Sequence, residues 1–336
     1  MQRFTLQKII VISLLALCTS FAQARELLNV SYDVMRDFYK DLNPVFIKHW
    51  QQKTGETLTI NMSHAGSTKQ ARAVADGLEA DVLTMNQATD LIMLAKVGGV
   101  IAPDWNKKFP DNAAPFTSTT VFIVRKGNPK GIKDWSDLIK PGLQVIIPNP
   151  KTSGNGRYTY LAAWAYALNQ PGGDEAKAQE FVGKIFKNVP VLDAGGRAAS
   201  TTFMQRNIGD VLLTFENEAE MIAKEFGRGT LEVVYPSSSV LAEPPVAVVD
   251  RDVAKRGNKE VAKAYLDFLW TPQGQEIAAQ NYLRPRNQTV FAKYAAQFPA
   301  MKLYTVEKVF GSWEKAQQQH FADGGTFDKI YQPGAK

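Results

Sequence analysis

The sequence predicts an α/β chain folded as two lobes, each a mainly parallel sheet flanked by helices. Three observations predict it. Short apolar runs alternate with helical patterns along the chain, as strand–helix–strand units require. The 336 residues, 45% of them hydrophobic, are enough for two ordinary cores. Two extended stretches, Ser118–Val124 and Glu243–Val249 with Pro244 and Pro245, have the character of crossings between lobes. The expected lobes are residues 25–117 with 248–295, and 118–247 with 296–336, hinged near 114–120 and 243–250. No repeat of solenoid period is present.

In order, Leu27, Leu28 and Val30 open a strand ending near Tyr32. Met35, Phe38, Leu42, Val45 and Phe46 recur at helical spacing, and Pro44 is expected to kink or restart that helix. Thr57–Met62 reads as a strand, Lys69–Leu78 as a helix and Asp81–Thr84 as a short strand. Thr119–Arg125 and Gln144–Ile147 are strands, followed by a helix over Gly154–Leu168. Asp210–Phe215 and Leu231–Tyr235 add two strands. Ala262–Leu269, Gly274–Tyr282 and the chain from Tyr304 onward read as helical.

The N-terminus has the form of a cleaved export signal. Arg3 and Lys8 precede an apolar run over Ile9–Cys18, and Ala22-Gln23-Ala24 supplies small residues for cleavage after Ala24. The run is shorter than the ~20 residues a membrane-spanning helix needs. Leu15-Ala16-Leu17-Cys18 resembles a lipidation site, but Leu17 is bulky where a small residue is expected. Cleavage removes Cys18, the single cysteine, and with it any disulfide, thiol nucleophile or thiolate metal site. It also removes two basic residues and no acids, so the remainder is less basic than the +6 of the whole chain. Such mild charge, with no dense basic stripe or known motif, excludes a nucleic-acid partner.

The chemistry is concentrated in four strand-to-helix corners. They are Ser31-Tyr32-Asp33, Ser63-His64-Ala65-Gly66-Ser67, Asn149-Pro150-Lys151-Thr152-Ser153-Gly154-Asn155 and Asp193-Ala194-Gly195-Gly196-Arg197. A helix start exposes unpaired N–H groups and the positive end of the helix dipole. Small residues let an anion approach that backbone. One such corner is ordinary capping. Four in one α/β chain point to an anion site at the C-terminal ends of the strands.

These corners carry a family resemblance. Asn149-Pro150-Lys151-Thr152-Ser153-Gly154-Asn155-Gly156-Arg157 resembles the signature of the prokaryotic sulfate- and thiosulfate-binding proteins. The likeness spans nearly the whole chain after the export signal. It includes Leu28-Asn29-Val30-Ser31-Tyr32-Asp33, Lys69-Gln70, Val124-Arg125-Lys126-Gly127-Asn128-Pro129, Gly209-Asp210-Val211-Leu212 and His320-Phe321. The resemblance implies the two-lobed type II periplasmic binding fold, with one ligand in the cleft and no cofactor or metal. It implies a periplasmic, monomeric, non-enzymatic carrier that delivers thiosulfate or sulfate to the permease subunits of an ATP-driven (ABC) importer. Carried over residue by residue, the donors are the backbone at Asp33, Ser67, Gly154, Asn155 and Gly196, with the Ser153 hydroxyl.

One position departs from the sulfate type. Phe215 stands where those proteins place a tryptophan whose indole N–H donates to the ligand, and a phenyl ring donates nothing. In this the chain is similar to the thiosulfate-type branch. Gly156 stands where alanine is common, and Gly196 replaces the alanine of the sulfate type. A donor-only cleft suits a fully ionised dianion and disfavours phosphate, which keeps a proton at neutral pH. The Asp33 carboxylate would repel a dianion, so its carboxylate is assigned to helix capping and only its N–H to the ligand.

Other candidates read more plainly. Arg36, Lys69, Arg72, Arg157 and Arg197 are expected as surface charge or as braces of the corners. His49, His64 and His320 lack ligand spacing for zinc. The six tryptophans are expected in packing. Glu216 and Glu218 are expected to end a strand or face solvent. The alternatives are a binding protein for another oxyanion, molybdate or phosphate, and an enzyme acting on sulfur oxyanions. The enzyme would need a nucleophilic cysteine.

Overall fold

The structure is a computed structural model, and it describes residues 24–225 and 229–331. The expected export signal, as far as Gln23, lies outside the described residues. Among the described residues, no helix is long and apolar enough to cross a membrane.

Two mixed sheets carry the chain. The first has four strands in the order β10-β3-β1-β2. These are β1 (Arg25–Tyr32), β2 (Leu58–Ala65), β3 (Val82–Thr84) and β10 (Val246–Val248). The second has the order β12-β9-β4-β7-β5-β6, with β8 and β11 also paired to β4. Its strands are β4 (Phe116–Arg125), β5 (Val145–Pro148), β6 (Leu192–Asp193), β7 (Val211–Phe215), β8 (Leu231–Val234), β9 (Ser238–Ala242), β11 (Arg284–Pro285) and β12 (Lys302–Tyr304).

Pairing is parallel where a helix returns the chain: β1 with β2 and β3, β5 with β6 and β7, β9 with β12. It is antiparallel at the strands that follow a passage between sheets. β4 runs against β7, β8, β9 and β11, and β10 runs against β3. Ser118–Val124 is paired within the second sheet along its length, so the passage precedes it. The chain returns between β9 and β10 and passes once more between β10 and β11.

The first eight helical segments are α1 (Arg36–Thr54), α2 (Ser67–Ala75), α3 (Ala88–Lys96), the short turn α4 (Pro110–Ala113), α5 (Gly154–Leu168), α6 (Glu175–Lys187), α7 (Gly196–Met204) and α8 (Glu216–Glu225). α1 buries Phe38, Tyr39, Leu42, Phe46 and Trp50 on one face. The helix continues through Pro44 without restarting. Pro44 lies on the exposed face, and so does Lys40, whose carbonyl Pro44 leaves without its helical donor, so solvent can reach that carbonyl. α5 is buried along nearly its whole length and forms the centre of its half. Asp111, Asn112 and Ala113 adopt left-handed backbone with φ of 54°, 55° and 61°, just before the first passage between sheets. Such values are costly for residues with a Cβ.

Candidate anion-binding site

The helix starts expected to bind an anion meet in the structure. Asp33 directly follows β1 and opens a 3-10 turn leading into α1. Ser67 is the first residue of α2, behind Gly66. Gly154 and Asn155 open α5 behind the cap Ser153, whose Oγ accepts from the Gly156 N–H at 3.4 Å. Gly196 opens α7 behind Gly195. α2 starts two residues earlier than its sequence pattern indicated, and this brings Ser67 into the first turn. The opening residues of each helix have N–H groups with no intrahelical partner.

Close approaches tie the corners of the first sheet to those of the second. A Cβ on Gly66 would lie 3.2 Å from the Thr152 carbonyl oxygen and 3.7 Å from that of Ala194. A Cβ on Gly195 would lie 2.8 Å from Asp33 Oδ2. A Cβ on Gly196 would lie 2.9 Å from Asn155 Nδ2 and 3.0 Å from Val34 Cγ1. The crowding at these points comes from proximity, not from left-handed backbone. The Asp33 carboxylate accepts from the Arg197 N–H at 3.3 Å. It therefore caps a helix, as expected, but the helix is α7 in the other sheet's half.

A polar network holds the α5 and α7 starts together. Asn155 Nδ2 donates to Thr214 Oγ1 at 2.8 Å, and that hydroxyl donates to Glu218 Oε2 at 2.5 Å. Ser200 Oγ donates to Glu218 Oε1 at 2.7 Å. Burial pushes the Glu218 carboxyl up to about 7, against the pull of the Thr214 hydroxyl, and the Asp33 charge adds to the rise. Burial also raises the Asp33 carboxyl, opposed by the Arg197 N–H. On the α2 side, Ser67 Oγ donates to Asp90 Oδ2 at 2.5 Å and accepts from the Asn86 N–H at 3.0 Å.

Glu216 and Glu218 correct the expectation that they end a strand or face solvent. They open α8, and both are buried. Glu216 survives burial through a bidentate pair with Arg284 at 2.6 and 2.8 Å. Glu218 survives it through two hydroxyl donors and a raised affinity for its proton.

Phe215, the last residue of β7, is 2% exposed and adjoins the cluster through Thr214. Its ring meets Tyr158 of α5 edge-on at 5.6 Å. The cations act as braces. Arg157 is buried and donates to the Pro150 carbonyl at 2.9 Å and to Thr89 Oγ1 at 3.5 Å. Lys151 turns its ammonium away from the corner toward the Phe321 and Ala322 carbonyls and Asp328. Exposed Arg197 faces Asp37 at 3.7 Å. Among the described residues, no group of three or more His, Cys, Asp or Glu is placed to hold a metal.

Sequence reasoning missed Asn86, Asp90, Thr214 and Tyr158. Asn86-Gln87-Ala88-Thr89-Asp90 is a fifth strand-to-helix corner, between β3 and α3, rich in capping residues but lacking glycine. Its composition was the available signal.

Comparison with known proteins agrees with this geometry. Residues 27–284 match the model of a family described as bacterial extracellular solute-binding protein. A thiosulfate-binding protein of Pseudomonas aeruginosa is 65% identical over 95% of this chain and 96% of its own. A sulfate-binding protein of Escherichia coli is 55% identical over 94% of this chain and 96% of its own. The solved structure of the sulfate-binding protein SubI from Mycobacterium tuberculosis H37Rv superposes with a TM-score of 0.79 at 32% identity. That likeness covers 88% of this chain and 99% of the other. The chain belongs to the bacterial extracellular solute-binding proteins, within the branch of sulfate- and thiosulfate-binding proteins.

Proposed function

We propose that this protein captures thiosulfate or sulfate in the periplasm and delivers it to the permease subunits of an ABC importer. The carrying observation is the meeting of the α2, α5 and α7 starts and the Asp33 turn, each with N–H groups to give. The proposed donors are the backbone at Asp33, Ser67, Gly154, Asn155 and Gly196, with the Ser153 hydroxyl. Ser153 Oγ accepts from Gly156, which leaves its proton for the ligand. Phe215 supplies an apolar wall, which suits the large, weakly accepting terminal sulfur of thiosulfate. Reading the halves as lobes 25–117 with 248–295 and 118–247 with 296–336, a ligand held by both favours the closed form. Export with cleavage after Ala24 and a monomeric carrier complete the reading. The high identity to proteins named for thiosulfate and sulfate binding supports this ligand class over molybdate or phosphate. Their naming as binding proteins supports carriage over catalysis.

Calorimetric titration with thiosulfate, sulfate, phosphate and molybdate tests the proposal. The expected result is micromolar or tighter binding of thiosulfate or sulfate and much weaker binding of phosphate. Tight phosphate or molybdate binding, or consumption of thiosulfate, would overturn it.

A further inference from the structure

Asn86 lies in the corner between β3 and α3, on the first sheet's side of the site. It is 3% exposed. Its side chain rests closely against Gly154, the first residue of α5 in the other half. A Cβ on Gly154 would lie 2.4 Å from Asn86 Oδ1, 2.7 Å from Cγ and 3.0 Å from Cβ. Its backbone N–H is fixed on Ser67 Oγ, the α2 start. Asn86 thus bridges two of the helix starts proposed to hold the anion.

The end of its side chain is unused. Oδ1 is buried and has no hydrogen-bond partner. Asn155 Oδ1 is likewise buried without a partner, but its amide orientation is set by the bond from Nδ2 to Thr214, whereas nothing among the described residues sets that of Asn86. A buried amide oxygen without a partner is costly, and a partner restores the loss. The amide carries an acceptor on one side and two donors on the other, exchanged by a half-turn about χ2. A proton-free dianion calls for the donor side. A protonated oxyanion would call for the acceptor.

We propose that Asn86 is a further ligand-binding residue, whose amide turns to donate through Nδ2 to the bound anion and thereby favours fully ionised oxyanions over protonated ones. This rests on the oxyanion reading above. The arrangement joins a side-chain donor from the β3–α3 corner to the backbone donors of α2 and α5. It also adds a contact that exists only while the two halves are together.

Two variants test it by calorimetry on the purified protein at pH 8, with thiosulfate, sulfate and phosphate as probes. Asn86→Leu keeps the branched outline, with bulkier branches, and removes the donor. It should weaken thiosulfate and sulfate at least tenfold, with the ligand-free melting temperature held within a few degrees. Asn86→Asp keeps the shape and offers only acceptors. It should weaken both sulfur anions at least a hundredfold while phosphate loses far less, so the selectivity ratio moves toward phosphate. That ratio does not depend on the fraction folded. Affinities for both sulfur anions within twofold of wild type in Asn86→Leu, or an unchanged ratio in Asn86→Asp, would overturn the assignment. A wild-type protein that binds none of the probes overturns the oxyanion reading and this inference with it.

Discussion

The Asp33 carboxylate, at the end of β1, caps the N-terminus of α7 by accepting the Arg197 N–H at 3.3 Å across the gap between the two halves. The carboxylate therefore occupies a helix start in direct competition with any bound anion. Its value to the closed form and its cost to the ligand have opposite signs. Asp33→Asn keeps an acceptor of the same shape and removes the charge. Thiosulfate and sulfate should then bind about three- to tenfold tighter, by up to about 1.4 kcal/mol. Calorimetry reads this directly, and unchanged or weaker binding would count against it.

Gly154 and Gly196 should differ in their tolerance of alanine. A Cβ on Gly154 would meet three Asn86 atoms at 2.4 to 3.0 Å, including that residue's own Cβ next to its backbone. Gly154→Ala should weaken anion binding at least a hundredfold, because the halves cannot meet. A Cβ on Gly196 would meet one amide nitrogen at 2.9 Å and a methyl at 3.0 Å, both ends of side chains. Gly196→Ala should cost less than tenfold. Equal losses in the two variants would show that the Asn86 contact does not govern closure.

Phe215→Trp should move the preference from thiosulfate toward sulfate, since the indole adds a donor where the phenyl ring has none. The ring is buried against Tyr158, so the larger side chain also costs about 1–3 kcal/mol of stability through overpacking. The ratio of the two affinities separates these effects. A ratio equal to that of wild type would dismiss the selectivity argument.

Two buried groups should give opposing pH dependence. Burial raises Glu218 from 4.5 to about 7, so the stability its proton supplies is complete below pH 4.5 and lost as pH rises to about 7. Burial lowers His320 from 6.5 to about 4, so the stability of its neutral form is complete above pH 6.5 and lost as pH falls to about 4. Each is worth about 3 kcal/mol across its window. They offset between pH 4.5 and 6.5. Relative to wild type, Glu218→Gln should gain stability with rising pH in that range, and His320→Gln should lose it. Urea unfolding at pH 4.5, 5.5 and 6.5 would show it. Parallel profiles for all three proteins would contradict the assignment.

Much of this was legible in the sequence because it was local. The α5 helix is found over Gly154–Leu168 as its pattern indicates, since Ser153 and the glycines mark the start and the apolar run follows without interruption. Asp33, Ser67 and Gly196 announce themselves as small or capping residues at strand ends. What stayed hidden depends on distant partners. Glu216 reads as solvent-facing until Arg284 is seen beside it, 68 positions away. Asp33 reads as a helix cap, but which helix it caps is seen only when Arg197 is placed against it. Asn86 lacks the glycine that marked the other corners, and only its contact with Gly154 gives it a role.

Amide proton shifts on titration with thiosulfate test the central claim most directly, in protein labelled uniformly with nitrogen-15. If main-chain N–H groups at the helix starts hold the anion, the signals of Asp33, Ser67, Gly154, Asn155 and Gly196 should move strongly downfield together and become protected from exchange. Arg36, Lys69 and Arg72 should barely respond. Strong shifts confined to those cations, with the five amides unmoved at saturation, would contradict the account.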